Sequence, residues 1–511
     1  MRVVMVRRWL VGALVALAAV LLVAGPASAH LDLVKTTPAD GAELSKPVKQ
    51  VQLQSNVPGE PAGAGIVLLD RTGQEVPIEV STPDEGLTWV AKPLEALDSG
   101  KYGVKWRVAA PDTHPKTGAF RFSVNVPGAV APADSPTAQD QGAASSLDEI
   151  LAQPVDTTVA QWVRWGGTTL MITGAVLGIG GLVFLALVMA GRRSEVRTVV
   201  QRVRWSAALL IVGSFIQIAA RSTMRQDGDW AAGLSPNAIA DLLGSGTYGV
   251  AVGLRLLGGV LILVGVWAAF ASAPTAALAT THHEPDDPIV SASLRRSWVA
   301  VIGACLYLAS FLFDGHTETA APRVLVWLSD IVHVLAAATW VGGIAMLATV
   351  LWRRRRARHA LDAAFLAVRF SSVAGLSLVL AGLAGVALTV EILDEPSQLW
   401  SSTWGLVLIA KVALVAVVAA IGAYNHFRLI PVLEQAVDLR TNHPHLPEDL
   451  QPESPAPHGA SGGVALATRQ RVEVANDRIS RKLWFTAYAE VLILLGVVAL
   501  TAWLVNASAV G

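Results

Sequence analysis

Residues that could bind a metal ion stand where the chain is predicted to be cut during export. A basic N-terminus precedes an apolar stretch, residues 9–24, and Ala27-Ser28-Ala29 supplies the small residues of a signal-peptidase site. Cleavage after this site, which removes a signal peptide of residues 1–29, would leave His30 with a free α-amine beside its imidazole. These two nitrogens can chelate one ion, and Cu(II) favours tetragonal sites of nitrogen and oxygen donors. His30 is therefore a candidate Cu(II) ligand, unless it merely follows the cut.

A second pair of candidate ligands lies in Pro111-Asp112-Thr113-His114-Pro115, between two predicted strands. A carboxylate and an imidazole two residues apart in a proline-bounded loop can point the same way. With the amine and ring of His30, Asp112 and His114 would complete a set of three nitrogens and one oxygen, which suits tetragonal Cu(II). The alternative is structural, because an aspartate often caps a turn and a loop histidine is often a surface residue.

The stretch that contains these candidates, residues 30–126, has the pattern of a small all-β domain. Short segments rich in β-branched and aromatic residues alternate with turn signals. The predicted strands are residues 48–54, 66–70, 75–80, 87–91, 102–109 and 119–126. Strands of this length and spacing favour a sandwich or barrel, and about 97 residues are just enough for one core.

The rest of the chain has the composition of a multi-pass membrane protein. Hydrophobic residues make up 53% of the sequence and charged residues only 15%, which is too apolar for an ordinary soluble protein. A flexible linker is predicted over residues 127–155, and an α-helical bundle of about eight transmembrane helices over residues 156–511. The apolar blocks lie at residues 166–190, 204–222, 249–271, 297–313, 323–351, 368–391, 404–427 and 484–505.

Basic residues give the predicted orientation of this bundle. Arginine and lysine are concentrated after the first block, after the fifth and before the eighth, and such loops are typically cytoplasmic. We therefore predict a plasma-membrane protein whose β-domain and C-terminus are both extracytoplasmic. The formal net charge of +0 indicates no nucleic-acid partner, and the single cysteine, Cys305, allows no disulfide within the chain.

Polar and ionisable side chains within predicted spans are costly in lipid and are therefore functional candidates. On the predicted orientation, several fall in the outer half of the membrane or at its edge: Gln217, Arg221, Arg255, Asp314, His316, Asp330, His333 and Lys411. Asp330 and His333 are three residues apart on one helix, so we expect them to share a face and the carboxylate to orient the imidazole. A polar cavity open to the outside is one interpretation, and a structural network between helices is the other.

Other side chains have weaker claims to metal binding. Glu490 and His426 lie toward the inner side of the membrane. Cys305 and Met346 offer soft sulfur for Cu(I), although core packing is the commoner role of such residues. Histidines also occur in two predicted cytoplasmic loops, at residues 282–283 and 443–458, where weak metal binding competes with a simply solvated loop.

Several motifs of the N-terminal domain occur together in one known family. They are the mature His30, residues 37–42 (TPADGA), the strand 48–54, Asp112-x-His114 and Gly118-x-Phe120-x-Phe122-x-Val124. With these residues the domain resembles the periplasmic copper-binding CopC family. The resemblance implies a cupredoxin-like β-fold, related to the immunoglobulin sandwich, and Cu(II) bound by His30, Asp112 and His114. Some members also have a methionine-rich Cu(I) site, but residues 30–126 contain no methionine, so we predict a domain for Cu(II) alone.

The membrane domain has motifs of its own. They are residues 333–343 (HVLAAATWVGG), 369–372 (RFSS) and 404–411 (WGLVLIAK). Through them this half resembles the CopD family of copper-resistance membrane proteins, most clearly over residues 329–430. The resemblance implies copper handling at the plasma membrane, but it supplies no settled set of transport ligands.

The combined interpretation is a membrane protein that captures Cu(II) outside the cell and carries copper inward past His316, Asp330, His333 and Lys411. Cu(I) is the second oxidation state to consider within the membrane. Its partners would be the copper ion, the lipid bilayer, and an extracytoplasmic copper donor or a cytoplasmic acceptor. The alternative is a membrane-tethered copper store, or a donor of copper to an oxidase, without translocation. No haem, flavin or ATP-binding motif is evident, and we expect no enzymatic activity.

Overall fold

The computed structural model describes most of both predicted regions. The described residues are 33–84, 86–109, 115–126, 147, 149–152, 156–244, 247–271, 289–291, 297–313, 323–356, 363–393, 395–432 and 461–507. The predicted signal peptide and the candidates His30, Asp112, His114, Asp314 and His316 lie outside the described residues, as do the two histidine-containing loops.

The N-terminal domain is a β-sandwich of a four-stranded and a five-stranded sheet. Its strands are β1 (Leu33–Thr37), β2 (Ala42–Leu44), β3 (Val51–Ser55), β4 (Glu60–Leu69), β5 (Glu75–Val76), β6 (Ile78–Ser81), β7 (Thr88–Pro93), β8 (Gly100–Ala109) and β9 (Pro115–Val124). The order is β1-β3-β7-β6 in one sheet and β2-β9-β8-β4-β5 in the other. Neighbours are antiparallel except β2 and β9, which run parallel. The predicted sandwich is confirmed.

Side chains from both sheets alternate into one apolar core. Leu53 and Trp89 come from the four-stranded sheet, and Val104 and Val108 from the five-stranded sheet, and all four are fully buried. Such period-two burial is what a strand with one face in a core requires. Since the only cysteine of the chain lies elsewhere, this core stabilises the domain without a disulfide.

Two details of the strand pattern differ from the prediction. The predicted strand 75–80 is broken at Pro77, and its two parts, β5 and β6, belong to different sheets. Proline has no N–H to give to a ladder, so a break at this residue is expected. The short strands β1 and β2 were not predicted, because their residues are at most half-buried and show little alternation.

The second domain is a bundle of α-helices, most of them long and apolar. They are α1 (Thr158–Leu187), α2 (Arg193–Arg225), α3 (Trp230–Gly233), α4 (Pro236–Gly244), α5 (Tyr248–Ala271), α6 (Trp298–Ala309), α7 (Arg323–Arg356), α8 (Ala364–Ile392), α9 (Gln398–Ser401), α10 (Thr403–Tyr424) and α11 (Ser461–Asn506). In the described part of the chain, seven helices are long and apolar enough to cross a membrane, and α6 with its 3-10 turn is a shorter apolar helix. A helix covers each of the eight predicted blocks. A short ribbon, β10 (Ala190–Arg192) with β11 (Ile289–Ser291), lies beside them.

Helices α1, α2 and α7 pack backbone to backbone. Gly180 of α1 lies against Ala338 and Gly342 of α7, and a Cβ on Gly342 would stand 2.5 Å from the carbonyl oxygen of Val176. On its other side, α1 presents Gly174 to the backbone of α2. Small residues at such crossings are typical of membrane helices, because close approach maximises van der Waals contact where lipid offers no hydrophobic driving force.

Basic residues gather at one end of this bundle. Arg354, near the end of α7, donates two hydrogen bonds to Glu195 at the start of α2, with an Nε–Oε1 distance of 2.8 Å and an Nη2–Oε2 distance of 3.0 Å. The guanidinium of Arg355 lies over the ring of Trp484 in α11, 4.6 Å from the ring centroid. The three regions with predicted basic loops therefore meet at the same end of the bundle.

The β-domain contacts the opposite end, where α1 begins and α2 ends. A Cβ on Gly228, in the turn after α2, would touch the backbone of Asp156, which precedes α1. The side chain of Arg107 in β8 reaches the last turn of α2 at Met224. The sandwich and the basic loops thus lie at the two ends of the bundle.

Replacing Gly342 by alanine is expected to destabilise the bundle, because the added methyl group would overlap the backbone of α1. Overpacking of this kind costs about 1–3 kcal/mol. The matched control is Gly375→Ala in α8, where a Cβ would have nothing within 4 Å and alanine is the better helix former. Thermal unfolding in detergent, followed by circular dichroism, should give a lower midpoint for Gly342→Ala only. Equal midpoints would contradict this packing.

Candidate metal centre

The ladder between β8 and β9 fixes the ends of the segment that carries Asp112 and His114. Its last pair is Ala109 with Pro115, so residues 110–114 join these two ends. On its other side, Ala109 pairs with Glu60 at the start of β4. The segment with both candidate ligands is thus attached at the end of the five-stranded sheet where β4 begins and β8 finishes.

The chain that follows His30 enters at the same end of the sandwich. Leu33, the first residue of β1, pairs with Ser55, the last residue of β3. A step of five residues leads from Ser55 to Glu60, and such a step spans at most about 18 Å. Leu33 and Ala109 therefore lie at one end of the domain. This arrangement is compatible with the predicted ligand set, whose three members lie outside the described residues.

Later parts of the chain cover the outward face of β8. Because the core residues of this strand alternate with Gly103, Lys105 and Arg107, these three share the face that points away from the core. Lys105 donates from Nζ to the carbonyl oxygen of Ile150 at 3.0 Å, and Leu151 packs against Gly103. The helical residues 149–152 therefore lie on this face of the sheet.

Arg107 is the buried charge of the same face, with only 6% of its surface exposed. It donates from Nη1 to the carboxylate of Asp227 and from Nη2 to the carbonyl oxygen of Met224. Met224 belongs to the last turn of α2, whose carbonyls have no partner within the helix. A cation there also interacts favourably with the helix dipole. Arg107 thus caps α2 and joins the two domains.

Polar side chains form a chain of hydrogen bonds inside the bundle, toward the same end of α2. Gln217 donates from Nε2 to the hydroxyl of Thr168 at 3.1 Å and accepts from Nη1 of Arg255 at 3.5 Å. Arg255 donates from Nε to the hydroxyl of Ser310 at 3.2 Å. All four residues are buried. Their bonds connect α1, α2, α5 and the 3-10 turn after α6, so part of the predicted polar group is a network between helices.

Asp330 and His333 both lie on α7, but they do not form the predicted pair. Nδ1 of His333 forms a 2.8 Å hydrogen bond with the carbonyl oxygen of Ala381 in α8, and the ring lies against Gly385 one turn later. Asp330 interacts electrostatically with Arg255 instead. The expectation that Asp330 orients the imidazole is therefore wrong. The ring of His333 lies toward α8, so a backbone carbonyl of that helix, and not Asp330, orients the imidazole.

Lys411 of α10 interacts electrostatically with His333. Two predicted path residues are therefore neighbours, but the ammonium group of Lys411 has no lone pair and cannot join the ring of His333 in binding a metal ion. In the described part of the chain, no group of three or more His, Cys, Asp or Glu residues could hold a metal ion. Among the described residues, the bundle thus offers separate polar groups along its helices instead of a metal cage.

A second polar cluster lies nearer the basic end, where α10 continues as the π-helical turn Asn425–Leu429. Asn425 donates from Nδ2 to Oε1 of Glu490 at 2.8 Å and accepts from the hydroxyl of Thr486 at 2.9 Å. Nδ1 of His426 is hydrogen-bonded to the hydroxyl of Ser371. A π-turn inside an α-helix often marks a functional position, since it redirects side chains. Glu490 and His426 are thus placed in separate hydrogen-bonded contacts.

Sequence reasoning missed the residues that join the two domains. Arg107 has the appearance of an ordinary outward-facing strand residue, and Asp227 that of a turn residue after a helix. A weak signal was present, because Arg107 stands close to the candidate ligands Asp112 and His114 on a strand with strict alternation. Its partner, however, is 120 residues away in sequence, and no local pattern identifies such a contact.

Comparison with known proteins assigns a segment in each of the two domains. Residues 33–125 match the model of the CopC domain, and residues 363–452 match the model of copper resistance protein D, or CopD. Copper resistance protein C of Pseudomonas syringae pv. tomato is 37% identical over 113 residues, which are 21% of this chain and 90% of that protein. The chain belongs to the CopC family and carries a CopD domain in addition. The resemblance predicted from the motifs is confirmed.

Further similarities extend over the CopC–CopD fusion. Copper resistance protein C of Escherichia coli is 30% identical over 109 residues, 20% of this chain and 86% of that protein. The copper transport protein CutJ of Bacillus subtilis (strain 168) is 22% identical over 408 residues, 78% of this chain and 68% of that protein. Copper resistance and transport are therefore the functional context of the chain. The crystal structure of CopC from Methylosinus trichosporium OB3b is 27% identical, with 20% of this chain and 100% of that chain covered and a TM-score of 0.18.

Proposed function

We propose that this CopC–CopD fusion captures Cu(II) outside the cell and mediates its import across the plasma membrane. The observation that carries the proposal is the anchoring of both candidate ligand segments at one end of the sandwich, by Leu33 in β1 and Ala109 in β8. The N-terminal amine and ring of His30, the ring of His114 and a carboxylate oxygen of Asp112 then surround one ion. Hard and borderline donors of this kind suit Cu(II), and the domain has no methionine that would favour Cu(I).

We propose that the sandwich and the C-terminus lie on the extracytoplasmic side of the membrane. The contact between Glu195 and Arg354 and the stacking of Arg355 on Trp484 bring the basic regions to one end, and positively charged ends are typically cytoplasmic. The sandwich contacts the other end. Thr168, in the first part of α1, is hydrogen-bonded to Asn506 at the end of α11 (3.4 Å), which supports a C-terminus on the side of the sandwich.

The proposed path through the bundle uses Asp330, His333 and Lys411, with His316 at its outer entrance. At 1.5 Å per residue, Asp330 lies about 10 Å and His333 about 15 Å below the start of α7, and Lys411 lies about 12 Å below the start of α10. These depths belong to the outer half of the bilayer. Because the three groups do not form a cage, copper would pass them through successive contacts, as Cu(II) or as Cu(I) after reduction by an external donor.

The second candidate is a membrane-tethered copper store, or a donor of copper to an oxidase. The separate polar groups favour it, since the described residues of the bundle include no cluster that could hold a metal ion. Both candidates share the Cu(II) site of the CopC domain and differ in flux across the bilayer. Neither requires an enzymatic reaction.

The Cu(II) site is tested by titrating Cu(II) into the purified mature chain and recording the electron paramagnetic resonance spectrum. We expect tight binding with a nitrogen-rich tetragonal spectrum. One extra alanine before His30 should abolish that spectrum. The nitrogen of His30 then becomes a peptide nitrogen, and the free amine belongs to the added alanine, one residue away from the ring. Asp112→Ala is the companion variant and should weaken binding while retaining the amine. Identical spectra for the mature and extended chains would exclude the N-terminal amine as a ligand.

The path is tested at the glycine that supports His333. In Gly385→Ala the added Cβ would stand 3.2 Å from Cε1 and 3.3 Å from Nδ1 of the ring, which must shift and strain its bond to Ala381. The matched control is Gly382→Ala in the same helix, where a Cβ has nothing within 4 Å. Copper accumulation by cells expressing each variant at equal level should fall for Gly385→Ala only. Equal accumulation would remove His333 from the path.

A further inference from the structure

We infer that Arg107 docks the CopC domain on the C-terminal end of α2 and thereby holds the whole sandwich at a fixed position on the helical bundle. The inference rests on the proposed capture and import of copper. The contact of Arg107 with α2 would give the copper domain a fixed position, whereas a flexible linker alone would let it move.

The bonding of Arg107 crosses the interface. Both terminal nitrogens of its guanidinium have acceptors on the membrane domain, the carboxylate of Asp227 and the carbonyl oxygen of Met224, while its Nε has no partner among the described residues. A charge that leaves water so completely is stabilised only where its partners are fixed in place. An arginine that served the β-domain alone would find its acceptors within that domain.

The acceptors of Arg107 belong to a well-ordered turn. Asp227 has a φ of 55°, in the left-handed region, and follows the last turn of α2. The N–H of Gly228 bonds to the carbonyl oxygen of Thr223 at 3.0 Å, which closes the helix, and Asp229 caps α3 through the N–H of Ala231 at 2.8 Å. The carboxylate is therefore presented to Arg107 by backbone structure on both sides of it.

The interface continues along the outward face of β8. Lys105 bonds to the carbonyl oxygen of Ile150, and Gly103 receives the side chain of Leu151. The chain between the two domains thus returns over the sheet before α1 begins. This covers the face from Gly103 to Arg107, so the domain is held along a strand and not at one point.

Docking determines which residues of the bundle lie beneath the sandwich. Arg107 precedes the segment 110–114, with its candidate ligands Asp112 and His114, by three residues. Below its contact at Met224, Arg221 lies about 4.5 Å and Gln217 about 10 Å along α2. Arg221 is buried and lies over the ring of Tyr248, 4.5 Å from the ring centroid. The contact of Arg107 at Met224 therefore lies within two helical turns of the first polar groups of the bundle.

Docking is tested without copper by distance measurement on the full chain in lipid nanodiscs. Spin labels are attached through Leu94→Cys in the sandwich and Leu234→Cys after α3, both exposed, in a Cys305→Ala background. Double electron–electron resonance should give one narrow distance distribution. Arg107→Met should broaden it, and Arg107→Lys should restore part of it. The control Lys101→Met removes an exposed cation from the same face of β8 and should leave it narrow.

Asp227→Asn tests the contact from the membrane side, so the result does not depend on the folding of an altered sandwich. It keeps a residue that tolerates the left-handed conformation and should broaden the distribution as Arg107→Met does. A narrow distribution in both variants overturns the docking role. Radiocopper uptake by the same variants should fall several-fold, with the Cu(II) resonance spectrum unchanged. Undiminished uptake with a broadened distance would overturn the role of docking in transfer, whereas absent uptake in the unaltered chain would reject the proposed import and leave docking intact.

Discussion

The arrangement of this protein depends on the close contact of α1 with two neighbours. Glycines at 174 and 180 let α1 approach the backbones of α2 and α7, and Gly342 completes the contact from α7. In a bilayer such packing replaces the hydrophobic effect as the force between helices. It holds α2, which carries Gln217 and ends beneath the sandwich, in a fixed relation to α7, which carries the candidate path residues. The polar chemistry of the membrane domain is therefore positioned in large part by the approach of one helix backbone to another at glycine.

The two ends of this three-helix core have different electrostatic character. At one end a carboxylate, Glu195, is buried against Arg354 beside several exposed basic residues. At the other end, Arg107 comes from a different domain to satisfy the last carbonyls of α2. Both contacts place an arginine at an end of α2. Arg354 joins two helices of the bundle, whereas Arg107 joins the sandwich to the bundle. A domain held by this contact has a defined position on the bundle, which a flexible tether would not give.

The sequence allowed the two domain folds to be predicted, because both follow from local periodicity. Alternation around Val104 and Val108 indicates a strand with one buried face, and apolar blocks of spanning length indicate membrane helices. Spacing on a helix was less informative. The spacing of Asp330 and His333 indicated correctly that they lie on one helix, but it does not determine that the imidazole of His333 points to α8. The contact of Arg107 with its distant partner could not be predicted, since it depends on how two complete domains meet.

Copper flux in proteoliposomes that contain the mature CopC–CopD fusion distinguishes import of copper from its storage. Radiocopper would be supplied outside as Cu(II), or as Cu(I) with ascorbate, and the vesicles then washed with an impermeant chelator. If the protein imports copper, we expect saturable accumulation that resists the chelator and exceeds that of protein-free vesicles in at least one oxidation state. Copper that binds to the vesicles but is removed completely by the chelator in both states would contradict import, and would assign the protein to storage or donation of copper at the outer surface.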